Sequence, residues 1–295
     1  MENKGEAEIN SVSIRPLIRS FLLALVLVIA VGFRHIPRLD PDQLFFLQKL
    51  EGTSRNDVIL LGDSRVFVGL DPSAFTRAIP GSSCLNYGFS ALGYSNSYFD
   101  QVVNRLSETA PKRLIVLAID AASLTPQAVH SNAFADVYGM NATERFHIRT
   151  FAPIWKATDP IVRPHQFYAN GWIPVKGVPF VPSESLSIYS RFFARTKYSE
   201  AILSDVARFV KAMSGQGIKV LALRMPTTRE MYRIECEAGG YPPEHVRRTL
   251  VDAGASWLEL PNIDQDSFDG SHLDLQPAQR ISKLVAETGA RMLHP

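Results

Sequence analysis

Cysteine and clustered metal ligands are scarce in this sequence. Only two cysteines, Cys84 and Cys236, occur among 295 residues, which argues against a disulfide-rich scaffold. The histidines His130, His147 and His165 stand apart from other ligand-type side chains, so we expect no bound metal. The two cysteines either form one disulfide or remain free thiols, and the sequence leaves both possibilities open.

An excess of charge of one sign is also missing, because 31 Lys and Arg residues are balanced by 29 Asp and Glu residues scattered along the chain. Proteins that bind nucleic acids usually carry a basic stripe that faces the phosphates, so we expect no nucleic-acid partner. A Walker loop, a Gly-x-Gly-x-x-Gly turn and the Gly-x-Ser-x-Gly elbow of α/β-hydrolases are all missing from the sequence. We therefore expect no nucleotide binding.

One uncharged apolar run is present, close to the N-terminus. Residues 20–33 read SFLLALVLVIAVGF and lie between two arginines. We interpret 17–33 as a transmembrane anchor that follows a cytoplasmic tail over 1–16. Because the uncharged run is shorter than the roughly 20 residues that span a bilayer, a cleaved signal peptide is the alternative. We expect a single-pass protein of the inner membrane with its C-terminal domain in the periplasm.

Apolar, strand-like runs alternate with helix-like segments along most of the remaining chain. A juxtamembrane linker and helix over 34–56 precede one domain over 57–295. The predicted strands are 58–62, 113–119, 218–226 and 256–260, and the predicted helices are 42–50, 97–108, 201–217, 244–254 and 277–289. Continuous apolar strands that alternate with helices indicate a parallel sheet covered on both faces. We predict an α/β fold, a three-layer sandwich around a parallel sheet.

An insertion over 125–199 breaks this alternation. It is rich in proline and in aromatic residues, among them Phe151, Trp155, Phe167, Tyr168, Trp172 and Phe180, and its periodicity is weak. Long segments of this kind are usually lids, binding elements or partner surfaces, and the aromatic rings would offer flat surfaces to sugars. An ordered excursion that only covers the sheet is an equally good interpretation.

Three short motifs are predicted to meet at one edge of the sheet. GDSR at 62–65 follows the first strand, LNYGFSALG at 85–93 follows the next segment, and FDGSHLD at 268–274 follows the last strand. In an open parallel sheet, functional sites gather at the carboxyl ends of the strands. We therefore expect a site that combines side chains from all three motifs.

These motifs contain the residues of a nucleophilic triad. Asp269 lies three residues before His272, a spacing that lets the carboxylate reach back to the imidazole Nδ1–H. We predict that Ser64 is the nucleophile, that His272 is its general base, and that Asp269 orients the imidazole. The alternative is that Ser64 only begins a strand-to-helix turn and that His272 is a surface histidine beside a helix-capping aspartate.

The motifs LLGDSRV, NYGFSALG and FDGSHLD resemble the first, second and fifth sequence blocks of the SGNH/GDSL hydrolase superfamily. This resemblance implies a flavodoxin-like fold and esterase or acyltransferase chemistry without a cofactor. It places Ser64 at the nucleophile position and Asp269 with His272 at the D-x-x-H pair. It also places Gly88 at the oxyanion-hole glycine, beside the backbone N–H of Ser64.

The predicted membrane anchor is similar to that of exported SGNH-like proteins that O-acylate bacterial polysaccharides and envelope polymers. The resemblance implies O-acetylation of an extracellular or cell-envelope polysaccharide through an acyl-serine. It further implies a polysaccharide or another acyl acceptor and a membrane-bound acyl-donor protein as partners. Two alternatives stay open: a plain carbohydrate or lipid ester hydrolase, and a non-catalytic SGNH-like partner in an envelope polysaccharide assembly complex.

The sequence departs from the family pattern after the strand 113–119. The third block of the family usually supplies an asparagine that donates to the oxyanion, and Asp120 stands at that place in the run AIDAAS. Losing one such donor typically costs about 10²–10³ in rate. Either the backbone N–H groups of Ser64 and Gly88 suffice, or Asn86 or Asn96 substitutes, or the site is impaired. Asp120 itself could only cap the turn that follows the strand.

Two arginines are candidate ligands for an anionic part of a substrate. Arg65 follows the predicted nucleophile directly, and Arg224 lies at the end of the strand predicted at 218–226. The alternative is that both side chains are merely exposed and solvated.

Overall fold

A computed structural model describes residues 14–35, 41–109, 111–158, 168–176, 182–263 and 267–294. Within these residues one sheet contains five short strands: β1 Val58–Leu61, β2 Cys84–Asn86, β3 Leu114–Ala118, β4 Lys219–Leu223 and β5 Ser256–Leu258. All neighbouring strands pair in parallel, in the order β2-β1-β3-β4-β5. The predicted α/β fold with a central parallel sheet is confirmed.

Helices connect the strands and cover the sheet. They are α1 Ile14–His35, α2 Pro41–Glu51, α3 Ser64–Gly69, α4 Pro72–Ala78, α5 Asn96–Arg105, α6 Pro126–His130, α7 Ala133–Gly139, α8 Ala142–Thr158, α9 Pro182–Arg195, α10 Glu200–Gly215, α11 Arg229–Glu237, α12 Pro243–Asp252 and α13 Leu275–Leu293. The helices predicted at 42–50, 97–108, 201–217, 244–254 and 277–289 correspond to α2, α5, α10, α12 and α13. The four predicted strands correspond to β1, β3, β4 and β5, and each ends earlier than predicted.

Alternate residues of the central strands belong to two separate apolar clusters. Ile59 and Leu61 belong to one cluster, Val58 and Leu60 to the other, and all four side chains are fully buried. The first cluster also contains side chains of α5 and α10, and the second contains side chains of α4 and α13. Because successive side chains of a strand point to opposite faces, helices cover the sheet on both faces.

The insertion 125–199 is largely helical where the structure describes it. It contains α6, α7, α8 and α9, and it contributes Phe134, Ile148 and Phe193 to the same apolar cluster as Ile59. Trp172 is buried, its Nε1 donates to the carbonyl of Val68 at 2.8 Å, and Tyr168 stacks on it. Phe167, Phe180 and the side chain of Trp155 lie outside the described residues. The described part of the insertion is therefore ordered and packs on the sheet.

The cysteines are both free: Cys84 is buried in β2, and Cys236 is half-buried in α11. Of the two possibilities left by the sequence, free thiols are the one found. In the described part of the chain, no group of three or more His, Cys, Asp or Glu side chains is placed to hold a metal ion.

The N-terminal apolar run lies in α1. Exposed apolar side chains follow one another along this helix: Ile18, Phe21, Leu22, Leu23, Leu25, Val26 and Leu27. Within the described residues, none of the helices has the length and apolar character needed to span a membrane. The side chains at 28–35 lie outside the described set, and the anchor over 17–33 stays a prediction.

Candidate active site

Ser64 begins α3 at the carboxyl end of β1. Asp63 caps this helix, because its Oδ1 accepts a hydrogen bond of 2.9 Å from the backbone N–H of Arg65. A Cβ at Gly62 would lie 2.3 Å from Cγ2 of Val66, so the tight turn from strand to helix requires glycine there. The GDSR motif therefore presents a half-buried serine at the edge of the sheet.

The three residues of the predicted triad meet at this edge. His272 Nε2 lies 2.8 Å from Ser64 Oγ, and His272 Nδ1 lies 2.7 Å from Asp269 Oδ2. The side chains of His272 and Asp269 are only 18% and 19% exposed, so the alternative of a surface histidine is not what the structure has. The arrangement lets the imidazole accept the hydroxyl proton while the carboxylate holds the opposite nitrogen.

A tight turn orients Asp269. Its Oδ1 accepts from the backbone N–H groups of Ser271 and His272, each at 2.8 Å. Gly270 adopts a φ of 89°, which favours glycine at the centre of the turn. Partial burial acts to raise the pKa of Asp269, but the hydrogen bonds and charge of His272 outweigh it and lower the pKa to about 2. Asp269 is therefore ionised at neutral pH.

Ser64 opens onto a cavity of about 250 Å³. Its lining residues come from β1–α3, from the 85–93 motif, from the segment after β3 and from α9 of the insertion. They are Asp63, Ser64, Ser90, Ala91, Ala122, Ala128, Ser131, Ile188, Tyr189 and Phe192. The insertion thus both packs on the sheet and forms one wall of the cavity.

The structure does not bring Gly88 or Asn86 to this cavity. The N–H of Gly88 donates to Asn86 Oδ1 at 3.0 Å, and the carbonyl of Gly88 accepts from Lys49 at 2.7 Å. The side-chain amide of Asn86 donates to the carbonyls of Val66 and Leu70, each at 2.8 Å. Because these groups already have partners, the predicted donors at Gly88 and Asn86 are wrong.

Ala91, in the same motif as Gly88, is a candidate for the second oxyanion donor. Among the described residues it is the non-glycine residue with a positive φ, 52°, and it lines the cavity. Strained backbone of this kind clusters at functional sites. Within the same residues the N–H groups of Ala91 and Ser64 have no acceptor, so both are free to bind an oxyanion. No residue-type signal marks Ala91, and sequence reasoning missed it.

The two remaining candidates for the missing donor lie away from the cavity. Asn96 is exposed at the first position of α5 and does not line the cavity. Asp120 is buried, and its Oδ1 accepts from the N–H of Ser123 at 2.9 Å. Asp120 therefore closes the turn after β3, as the capping alternative expected, and it is not among the residues that line the cavity.

Asp120 also lies beside the carboxyl group of Asp63. Burial raises the pKa of Asp63 well above its usual range, and the neighbouring charge of Asp120 adds to the effect, whereas Arg65 opposes it.

Neither candidate arginine is open to an anionic substrate. The side chain of Arg65 is 1% exposed, and its Nη2 lies 2.6 Å from Oε1 of the fully buried Glu235. Its Nε donates to Ser271 Oγ at 3.0 Å. Arg224 Nη2 donates to the other oxygen of Glu235 at 2.8 Å. Both arginines are thus bound inside the protein, in a network that the sequence did not reveal.

Glu235→Gln is expected to destabilise the fold. Removing one partner of a buried ion pair leaves an uncompensated charge and costs about 3–5 kcal/mol. For a chain of this size that lowers the melting temperature by about 10 °C. Glu237→Gln is the matched control, since Glu237 lies in the same helix and its ion pair with Arg233 is exposed. Equal melting temperatures of the two variants would contradict the importance of the buried pair.

Comparisons with known proteins are sparse: no protein-family model and no curated protein sequence matches the chain. A search of solved structures finds "The structure of a putative platelet activating factor from Streptococcus pneumonia". The two chains are 11% identical, 92% of this chain and 98% of that chain are covered, and the TM-score is 0.38. At these values the likeness supports no statement about fold or function.

Proposed function

We propose that this protein is an SGNH-type serine acyltransferase or esterase that forms an acyl-serine at Ser64. The observation that carries the proposal is the continuous hydrogen-bonded row of Asp269, His272 and Ser64, of which Ser64 lines a cavity. The strand order β2-β1-β3-β4-β5 is that of flavodoxin-like sheets and supports the family assignment.

The first half of the reaction acylates the serine. His272 Nε2 removes the hydroxyl proton as Ser64 Oγ attacks the ester carbonyl carbon, and Asp269 stabilises the imidazolium that forms. In this proposal the N–H groups of Ser64 and Ala91, which have no acceptor among the described residues, bind the negative carbonyl oxygen of the tetrahedral intermediate. When this intermediate collapses, the ester C–O bond breaks and His272 gives its proton to the departing alcohol oxygen.

The second half returns the serine. His272 takes a proton from a water molecule or from a hydroxyl of the acceptor, whose oxygen attacks the acyl-serine carbonyl. The bond to Ser64 Oγ then breaks and the proton returns to that oxygen. Hydrolysis and transfer differ only in the attacking oxygen, so one site serves both.

We further propose that the domain is exported and tethered to the membrane, as the sequence predicts, and that its acceptor is an extracellular polysaccharide. The row of exposed apolar side chains along α1 supports the tether. Support for sugar binding by the insertion is weaker than expected, because Trp172 is buried and Tyr168 stacks against it. The acceptor therefore rests on the resemblance.

An organophosphonate probe tests the acyl-serine directly. We expect peptide mass spectrometry to place the adduct on Ser64 and on no other serine of the folded protein. A folded protein that labels elsewhere, or never labels, would overturn the assignment. The acceptor is tested by incubation with an activated ester, with and without candidate polysaccharides, while free acid and acylated polymer are both followed. If free acid is released equally with and without polysaccharide and no polymer becomes acylated, the protein is an esterase and not a transferase.

The membrane tether predicts that alkali fails to strip the full-length protein from membranes. A periplasm-active reporter fused after Pro295 should be active. Release into the soluble fraction with a new N-terminus near Phe33 would instead identify a cleaved signal peptide.

A further inference from the structure

The cavity beside Ser64 has a largely apolar lining. Ile188 and Phe192 of α9 line it together with three small residues, Ala91, Ala122 and Ala128. Such a cavity favours an apolar group, because water released from its walls contributes free energy in proportion to the apolar area covered.

Polar groups are confined to a few positions of the lining. Ser64 and the neighbouring Asp63 belong to the catalytic part of the lining, and Ser90, Ser131 and Tyr189 are the other lining residues with a hydroxyl group. No lysine or arginine is among the lining residues in the part of the chain that the structure describes. A sugar or an anionic group would lose its hydration here and find few donors in return. The lining therefore suits a chain of methylene groups better than a polar group.

The volume decides the size of that chain. A cavity of about 250 Å³ has room for roughly eight groups the size of a water molecule, each occupying about 30 Å³. A methylene group is close to this size. An acetyl group would fill only about a quarter of the space, and unfilled apolar space gives up the contacts that stabilise a bound group.

We propose that this cavity binds the acyl chain of the substrate and that the transferred group is a linear, apolar acyl chain of about four to eight carbons. The inference rests on the proposed acyl-serine at Ser64 and replaces the acetyl group that the family resemblance implies. The chain lies in the cavity that α9 and the three alanines line, while its carbonyl carbon bonds to Ser64 Oγ. The leaving alcohol departs with the proton from His272, as in the reaction above.

A chain-length series of p-nitrophenyl esters tests this assignment. The full-length protein in lipid nanodiscs is given the acetate, butyrate, hexanoate, octanoate and dodecanoate, and kcat/KM is corrected for the uncatalysed rate of each ester. A fully buried methylene contributes about fourfold to kcat/KM. Because the cavity is partly open, we expect hexanoate to exceed acetate by at least about tenfold, with a decline at dodecanoate.

A cavity-filling variant connects the preference to the cavity. Ile188 is 49% exposed, so Ile188→Trp should fold and place an indole across the space. We expect Ile188→Trp to reduce the ratio of kcat/KM for hexanoate to kcat/KM for acetate to about one. Ser187→Trp is the matched control, because Ser187 is exposed on the same helix and does not line the cavity. Ser187→Trp should leave the hexanoate-to-acetate ratio of kcat/KM as it is in the natural protein.

Each outcome distinguishes the inference from the function beneath it. Turnover that favours acetate, or a ratio that Ile188→Trp does not change, would overturn the acyl-chain site while leaving the acyl-serine intact. If the protein hydrolyses none of the esters and the phosphonate forms no adduct at Ser64, the proposed function itself is overturned. A preference for hexanoate that Ile188→Trp removes and Ser187→Trp leaves unchanged would support both the acyl-chain site and the acyl-serine.

Discussion

Ser64→Ala is expected to lower the kcat for an activated ester by about 10⁴-fold or more. The alanine has no oxygen to form the acyl bond, and the remaining N–H groups and cavity provide only binding and oxyanion stabilisation. The measurement is single-turnover release of p-nitrophenol from the hexanoate ester. Labelling by the phosphonate probe should disappear in the same variant, while its melting temperature stays within a few degrees of that of the natural protein.

Ser187→Ala is the matched control for this experiment. Ser187 is exposed on α9 and does not line the cavity. It should keep activity within about threefold, since surface substitutions away from the site change free energies by only about 0.5 kcal/mol. A Ser64→Ala protein that retains more than a tenth of the activity would exclude the acyl-serine. Unchanged function in cells would favour the non-catalytic partner suggested as an alternative by the sequence.

Asp269→Asn is expected to lower kcat by about 10³–10⁴-fold while the protein stays folded. The Oδ1 of asparagine can still accept from the N–H groups of Ser271 and His272, which preserves the turn. Its amide nitrogen faces His272 Nδ1, however, and favours the tautomer in which Nε2 carries the proton. The base then cannot accept a proton from Ser64. Asp100→Asn is the control, because Asp100 is exposed on α5, and we expect it to leave kcat unchanged.

The effect of Asp269 on stability should depend on pH in a defined direction. Its pKa in the folded protein is about 2, below the ordinary aspartate value near 3.9. A lowered carboxyl pKa stabilises the fold fully above the unfolded value, and this contribution is lost as the pH falls toward 2. Asp269→Asn should therefore melt below the natural protein at pH 7, and the difference should shrink between pH 5 and pH 2. A constant difference over that range would contradict the pKa shift.

Local patterns explain which parts of the site could be predicted. β1 is a continuous apolar run that ends on Gly-Asp-Ser, and a buried strand of this type has a clear signature. The spacing of Asp269 and His272 lies within one turn, so their contact needs no knowledge of the rest of the chain. β2 has only three residues and α9 lies in a segment rich in proline and aromatic residues, so neither had a periodic signal.

Long-range pairing explains what sequence reasoning missed. Arg65 was considered as a ligand for an anion because its neighbours in sequence are polar and catalytic. Its partner Glu235 lies far along the chain on a helix that was not predicted, and burial of an ion pair is a property of the tertiary structure. Gly88 was misassigned for the opposite reason, since a local hydrogen bond to Asn86 already occupies its N–H.

The hydrogen bond from Arg65 to Ser271 has a consequence for the timing of the proposed reaction. Arg65 is the chain neighbour of Ser64, and Ser271 is the chain neighbour of His272. Once Ser64 Oγ carries an acyl group, it can no longer donate to the imidazole, and the direct link between the two residues is gone. The link through Arg65 and Ser271 involves neither reacting atom, so we expect it to remain when the serine is acylated. It would then hold His272 close to the acyl-serine until a water molecule or an acceptor hydroxyl binds.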